Sequence, residues 1–187
     1  MWFWLSLIAL LCWSGSDLFS KIGCQGEDDH LAHLKMVIAV GTVMGLHAAF
    51  EIFIGGTEIS WSIIWTYLPV SLLYIGSMTL GYLGLRYIEL SVSSPICNSS
   101  GALVAVMTLL FVGGEDYSPL ALLAIALVCT GAIGLGVVDA TEDPELRLER
   151  QKASNYKYAK SFLALALPAA YCLLDAAGTF ADNRVLE

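Results

Sequence analysis

Two aspartates lie inside long apolar segments of the sequence, where a carboxylate needs a specific reason to be present. Each comes four residues after an aromatic side chain: Trp13 precedes Asp17, and Tyr171 precedes Asp175. If these segments cross a membrane, a charge at their depth costs about 2.5–3.5 kcal/mol, so each carboxylate needs a partner, a hydrated cavity or a proton. We interpret both as candidates for a solute or ion pathway. A structural pair with Lys21, four residues after Asp17, is the alternative for the first of them.

A second polar group lies at the start of the segment ELSVSSPICNSSGA, which carries more polar side chains than the start of any other apolar segment. Pro95 has no amide proton, so it weakens the helical hydrogen bonding near Ser91. Ser94, Asn98 and Ser99 are therefore candidates for lining a solute cavity. Hydrogen bonding between helices by small polar residues is the alternative, and it predicts no ligand.

His47 and Glu51 are four residues apart in another apolar segment, so they share one helix face. A metal site would need a third ligand, and the sequence contains no HExxH motif to supply one. The pair is interpreted as a hydrogen-bonded pair near the membrane interface, with a proton relay as the functional alternative.

Aromatic and polar residues recur every three or four positions between Tyr67 and Tyr82, which places them on one face of a helix. Such a stripe is more typical of packing than of a binding wall. Tyr74 is the exception that we keep as a site candidate, because a hydroxyl in the middle of the membrane needs a hydrogen-bond partner.

The composition indicates the elements that must position these residues. The chain has 187 residues, of which 57% are hydrophobic and 14% charged, and its mean hydropathy is +0.72. Soluble domains carry about 25% charged residues, so this composition predicts an all-α polytopic membrane protein. The acidic residues are concentrated in connecting segments and no basic cluster is present, which argues against nucleic acid as a partner.

A bilayer core about 30 Å thick requires about 20 apolar residues per helix. The sequence predicts six such spans, joined by short polar segments except for one hydrophilic segment at 140–160; the spans are 2–23, 34–55, 63–85, 88–112, 119–139 and 161–181. Short joints predict antiparallel neighbours and therefore a helical bundle.

The repeated aromatic-x-x-x-Asp pattern predicts an internal repeat. Residues 1–139 would form a first five-helix repeat, 140–160 a linker, and 161–187 the start of a second, truncated repeat. Five is an odd number, so the second repeat would be inverted relative to the first. We therefore expect the sequence to be a fragment lacking about four further helices; a complete protein of six helices is the alternative.

Two stretches carry a resemblance to a known family. CWSGSDLFSKIG resembles the tryptophan-small-small opening of the EamA family in the drug/metabolite transporter superfamily. GLRYIELSVSSPICNSSG and its continuation to GAIGLG resemble that family's third-to-fifth-helix region: an Arg-Tyr pair, a Ser-rich helix, a Gly-Glu turn and a Gly-rich helix. The turn continues with Asp-Tyr-Ser, where the family often has a basic residue. Asp17 is not carried over from any family-wide motif.

The resemblance covers about residues 2–139 and the sixth span. It implies ten helices in two inverted repeats around a central cavity for small solutes, and a cytoplasmic N-terminus. The distribution of Lys and Arg predicts the opposite orientation, with the 140–160 segment in the cytoplasm. The orientation therefore stays open at this point.

Together these patterns predict a multi-pass plasma-membrane transporter that moves a small metabolite or drug-like solute by alternating access. Proton coupling, exchange and facilitated transport all stay open, and the sequence allows oligomerisation. No motif predicts a cofactor, a metal site or a catalytic centre. A structural or assembly protein of the membrane is the first alternative, and an intramembrane enzyme using His47 and Glu51 is the second.

Overall fold

The computed structural model describes residues 2–24, 29–113, 117–146, 148–149 and 162–186, and within them it contains helices and no strand. The helices discussed below are α1 (Trp2–Cys24), α2 (Ala32–Phe53), α3 (Trp61–Tyr87), α4 (Leu90–Cys97), α5 (Ser100–Phe111), α6 (Pro119–Thr141) and α7 (Phe162–Leu186). The predicted all-α fold class is confirmed. Residues 150–160, which make up most of the predicted linker, lie outside the described residues, as does the Gly-Glu turn at 114–115.

Five helical stretches of the described chain are long and apolar enough to cross a membrane: Phe3–Cys24, Ala32–Phe53, Trp61–Tyr87, Leu90–Phe111 and Pro119–Thr141. They coincide with the first five predicted spans to within three residues, and they are the helices of a multi-pass membrane protein. The sixth predicted span is helical as α7, and its crossing of the membrane stays a prediction. The relation of the two repeats by inversion also stays a prediction.

The helix boundaries follow from local side-chain chemistry. Ser60 and Ser118 are N-caps whose hydroxyls accept hydrogen bonds from the amides of Ile63 and Ala121. Gly113, after the end of α5, has a φ of 64°, a left-handed conformation that glycine adopts without strain. The starts of α3 and α6 are therefore set by serine caps.

The fourth predicted span is not one continuous helix. It is interrupted at Asn98 and Ser99, three to four residues after Pro95, between the end of α4 and the start of α5. The Asn98 side-chain amide donates to the carbonyl of Ser94 (2.9 Å), and the Ser99 hydroxyl donates to the carbonyl of Ile96 (2.7 Å). The backbone amide of Asn98 also donates to the Ser94 carbonyl, and that of Ser99 to the Ile96 carbonyl, so side chain and backbone share these two acceptors at the interruption.

Helix α3 is the centre of the bundle, since it contacts α1, α2, α4 and α7. Its most extensive contact is with α7, where glycines allow close approach. A Cβ atom on Gly81 would lie 2.7 Å from Cδ2 of Tyr171, and one on Gly84 would lie 3.5 Å from Cβ of Leu167. A Cβ atom on Gly178 of α7 would in turn lie 3.4 Å from the α3 side chains. We call this contact the α3–α7 seam.

Two hydrogen bonds also cross the α3–α7 seam. The Tyr74 hydroxyl donates to Oγ1 of Thr179 (3.1 Å), and the Tyr67 hydroxyl donates to Oδ1 of Asp182 (2.6 Å). Tyr67 precedes Tyr74 on α3, whereas its partner Asp182 follows Thr179 on α7. The two helices are therefore antiparallel.

Helix α1 runs parallel to α3, because the ends of both helices meet at Lys21. The buried Lys21 ammonium donates to the backbone carbonyls of Leu85 and Ile88 at the C-terminal end of α3. A cation is favourable there, because the last carbonyls of a helix carry partial negative charge and have no partner within the helix. Since α3 is antiparallel to α7, α1 is antiparallel to α7 as well.

Candidate functional site

A cavity of about 190 Å³ lies where α1, α3, α4 and α7 meet, with α2 contributing to one wall. We call it the Asp17 cavity, after the one carboxylate among its described lining residues. Five of the sequence-predicted site residues line it: Asp17, Trp13, Ser94, Asn98 and Tyr171. The sequence therefore identified residues from three helices that the fold brings into one place.

The Asp17 carboxylate is held by α4. The Ser94 hydroxyl and the Asn98 amide both donate to its Oδ2 atom, the latter at 3.2 Å. Ser94 and Asn98 are four residues apart, so they project from the same side of α4. The Asn98 amide also lies 3.0 Å from the Ser94 hydroxyl oxygen, which links the three side chains into one network. The predicted polar residues of the fourth span thus hydrogen-bond to the carboxylate of the first span.

Asp17 lies well inside the membrane-spanning length of α1. It precedes Cys24, the last residue of the helix, by seven positions, which corresponds to about 10 Å at 1.5 Å per residue. Its side chain is half-buried. Two hydrogen-bond donors and an adjoining cavity therefore give this carboxylate the polar surroundings that its depth requires.

The alternative interpretation of Asp17 paired it with Lys21. The hydrogen bonds described above place the Lys21 ammonium at the end of α3, and the carboxylate that acts on it electrostatically is that of Glu89. Asp17 is instead engaged by Ser94 and Asn98. The two charged side chains of α1 thus form hydrogen bonds with different helices.

Tyr171 forms part of the wall that α7 contributes. Its ring packs on Gly81, and both residues line the cavity. Asp175 follows one turn later on α7 and is half-buried, but it is not among the residues that line the Asp17 cavity in the described chain. Both Asp17 and Asp175 lie within electrostatic range of Tyr171 and of Cys97. Both predicted aspartates therefore lie in the region around Tyr171 and Cys97, and Asp17 is the one that lines the cavity.

The other three predicted site residues lie elsewhere. The Tyr74 hydroxyl has the partner that its depth required, Thr179, and it belongs to the α3–α7 seam. His47 and Glu51 are exposed on α2 and do not line the Asp17 cavity. Among the described residues no group of three or more His, Cys, Asp and Glu side chains could hold a metal ion.

Several cavity residues were missed by sequence reasoning. Ser16 and Ser20 of α1 line the cavity together with Trp13 and Asp17, and this spacing of three or four residues marks one helix face. That periodicity could have predicted Ser16 and Ser20 as cavity residues. Tyr82 belongs to the stripe that the sequence indicated on α3, but that stripe was interpreted as packing. Met44 of α2 carried no comparable signal, because its place in the wall depends on contacts between distant helices.

A second and larger cavity, of about 680 Å³, lies between α4, α5, α6 and α7. Small apolar side chains make up much of its wall, among them Ala132, Gly136 and Ala169. Its polar groups include the Ser99 hydroxyl, which lies 3.3 Å from the Cys172 sulfur. No sequence pattern had indicated this space.

The Asp17 cavity thus combines a carboxylate, hydroxyls, an amide and aromatic side chains, a set that can bind a small polar or cationic solute. Comparison of the chain with protein-family models, curated proteins and solved structures found no match.

Proposed function

We propose that the protein is a secondary transporter that moves a small metabolite or drug-like solute across a membrane by alternating access. The observation that carries this proposal is the Asp17 cavity. A partly open space that contains a carboxylate and is lined by residues of several spanning helices is what a solute needs to pass through a bilayer.

The direction of the helices supports the mechanism. Helices α1 and α7 are antiparallel, and each carries an aromatic residue followed four positions later by an aspartate. Inverted repeats place the equivalent helices of their two halves antiparallel, with the substrate site between the halves. In this proposal α1 and α7 are such equivalents, and rocking of one half against the other exposes the cavity to each side in turn.

The broken fourth span supports it as well. Transporters of this general type bind their solutes where helices are interrupted and backbone groups are freed. The interruption at Asn98 and Ser99 lies beside the Asp17 carboxylate. The resemblance to the EamA family points to the same function and to small solutes as substrates.

Uptake into proteoliposomes reconstituted with the full chain tests the proposal. A panel of radiolabelled amines, amino acids, sugars and nucleosides is offered to the wild type, to Asp17→Asn and to Glu58→Gln. Glu58 is an exposed carboxylate in the joint between α2 and α3, so its variant removes the same charge away from the cavity.

We expect saturable uptake of at least one solute by the wild type and by Glu58→Gln, and at least tenfold slower uptake by Asp17→Asn. Uptake that Asp17→Asn leaves unchanged would contradict the pathway. Absence of flux for the whole panel, with a correctly folded wild type, would favour the structural or assembly function instead.

A further inference from the structure

We infer that the Asp17 cavity binds a small organic ammonium cation. This inference rests on the proposed function for its biological meaning, since it names the class of solute that the pathway would carry. It depends on three properties of the cavity: its charge, its aromatic wall and its size.

The charge of the cavity wall is unbalanced. Among the described residues that line it, Asp17 is the one acidic side chain, and none is Lys, Arg or His. Lys21 is on the same helix, but its ammonium donates to the carbonyls at the end of α3. An ionised carboxylate in such surroundings favours a cation beside it.

The wall favours an alkylated cation over a hydrated metal ion. Trp13, Tyr82 and Tyr171 all line the same space, together with the thioethers of Met44 and Met78. The faces of aromatic rings attract ammonium groups, and recognition of quaternary ammonium by several rings is a recurring use of this interaction. Methionine sulfur is soft and polarisable and adds an adaptable apolar contact.

Part of the polar lining of the cavity is already engaged within the protein. The Ser94 hydroxyl donates to Asp17, and the Ser93 hydroxyl lies 3.9 Å from the Cys97 sulfur. An inorganic cation of the calcium or magnesium type would need about six oxygen ligands in its first shell. An organic ammonium needs a single carboxylate and apolar contacts, which this wall offers.

The volume fits a small cation of this class. At the roughly 30 Å³ that one water molecule occupies in the liquid, 190 Å³ holds about six non-hydrogen atoms. Tetramethylammonium, which has five non-hydrogen atoms, is therefore a suitable probe. tert-Butanol has the same number of non-hydrogen atoms without the charge and serves as its neutral counterpart.

Isothermal titration calorimetry on the purified full chain in maltoside micelles tests the inference. We expect saturable binding of tetramethylammonium to the wild type and to Glu58→Gln, and none of tert-butanol. Asp17→Asn should weaken binding at least tenfold. Trp13→Leu should weaken it about threefold to thirtyfold, and Trp13→Phe, which keeps an aromatic face, should weaken it less.

Three outcomes would overturn the inference: no saturable binding to a wild type that is monodisperse and helical, equal affinity in Asp17→Asn, or equal binding of tert-butanol. Sodium chloride titrated alone is a further arm, and saturable sodium binding that excludes tetramethylammonium would identify an inorganic site instead. Should Asp17→Asn fail to fold, the comparison of Trp13→Leu with Trp13→Phe still decides the matter.

Failure of this inference and failure of the transporter proposal are distinguishable. Asp17-dependent uptake of a neutral or anionic solute, without ammonium binding, would keep the transporter and reject the cation. Ammonium binding without flux of any solute would keep the cation site and reject transport.

Discussion

The contact between Gly81 and Tyr171 makes a specific prediction, because one methyl group added there meets the cavity wall directly. In Gly81→Ala the new Cβ would lie 2.7 Å from Cδ2 and 3.0 Å from Cε2 of the Tyr171 ring. Carbon atoms in contact lie about 3.5–4.0 Å apart, so the ring or the whole of α7 must move by roughly 0.8–1.3 Å. Either movement alters the wall of the Asp17 cavity.

The expected size of the effect follows from two opposing contributions. Overpacking of this kind costs about 1–3 kcal/mol, and replacing a helical glycine by alanine returns about 0.8–1.0 kcal/mol through helix propensity. We therefore expect Gly81→Ala to lower the free energy of unfolding by roughly 0–2 kcal/mol. We also expect it to reduce ligand binding or uptake by more than the reduction in folded protein explains, because the cavity wall itself is altered.

Unfolding of the purified protein by titration with a denaturing detergent measures the stability, and the uptake assay measures function. Gly101→Ala is the matched control, since a Cβ on Gly101 meets nothing within 4 Å. It should be neutral or stabilising and should leave uptake unchanged.

A double-mutant cycle with Tyr171→Ala isolates the contact itself. The ring atoms that the new methyl group would meet are absent in that background, so Gly81→Ala should there behave like Gly101→Ala. If Gly81→Ala destabilises both backgrounds equally, the damage arises elsewhere and the reasoning about this contact is wrong.

Two further predictions concern residues outside the Asp17 cavity. Tyr74→Phe removes the hydroxyl that donates to Thr179, so it should lower the free energy of unfolding by about 0.5–1.5 kcal/mol. Solute uptake should stay as in the wild type. Reduced uptake at unchanged stability would instead place Tyr74 on the pathway. The hydrogen bond from the Lys35 ammonium lowers the pKa of Asp29 in the folded state. The ionised Asp29 carboxylate therefore stabilises the fold at a pH above the ordinary pKa of aspartate, and this stabilisation is lost as the pH falls through the lowered pKa of the folded state. Asp29→Asn should therefore flatten the dependence of the melting temperature on pH below about 4, and an unchanged acid dependence would contradict this role.

Much of the helical framework could be predicted from the sequence, because the length of an apolar segment is a local property. The first five spans were identified to within three residues, and the cap at Ser118 and the proline after it mark the start of α6 where it was predicted. The interruption at Asn98 and Ser99 was not predicted at its position. Pro95 indicated a weakened ladder near Ser91, whereas the helix stops at Asn98 and Ser99, whose side chains donate back to carbonyls of α4.

The pairing of helices was harder to predict, since it depends on which distant residues meet. The sequence GTVMG, from Gly41 to Gly45, predicts close helix packing, but a Cβ on either glycine meets nothing within 4 Å. The closest contact of a glycine with another helix lies at Gly81, which belongs to no such motif. A glycine permits close approach, but the neighbouring helix decides whether it occurs.

The candidate site was predicted in part for a physical reason. A carboxylate in an apolar helix is costly, so its presence alone marks Asp17. The same reasoning marks Asp175, but the described residue of α7 that lines the cavity is Tyr171. Depth can be estimated from a sequence, whereas the direction in which a side chain faces requires the packed helices.

The α3–α7 seam has a consequence for how the chain is made. The two helices are separated by about 75 residues, from Tyr87 to Phe162, and at 5–20 residues per second a ribosome needs roughly 4–15 s to add them. Throughout that interval the hydroxyls of Tyr67 and Tyr74 have not yet met their acceptors on α7. Biogenesis therefore includes an interval in which α3 has been synthesised and its most extensive packing partner has not.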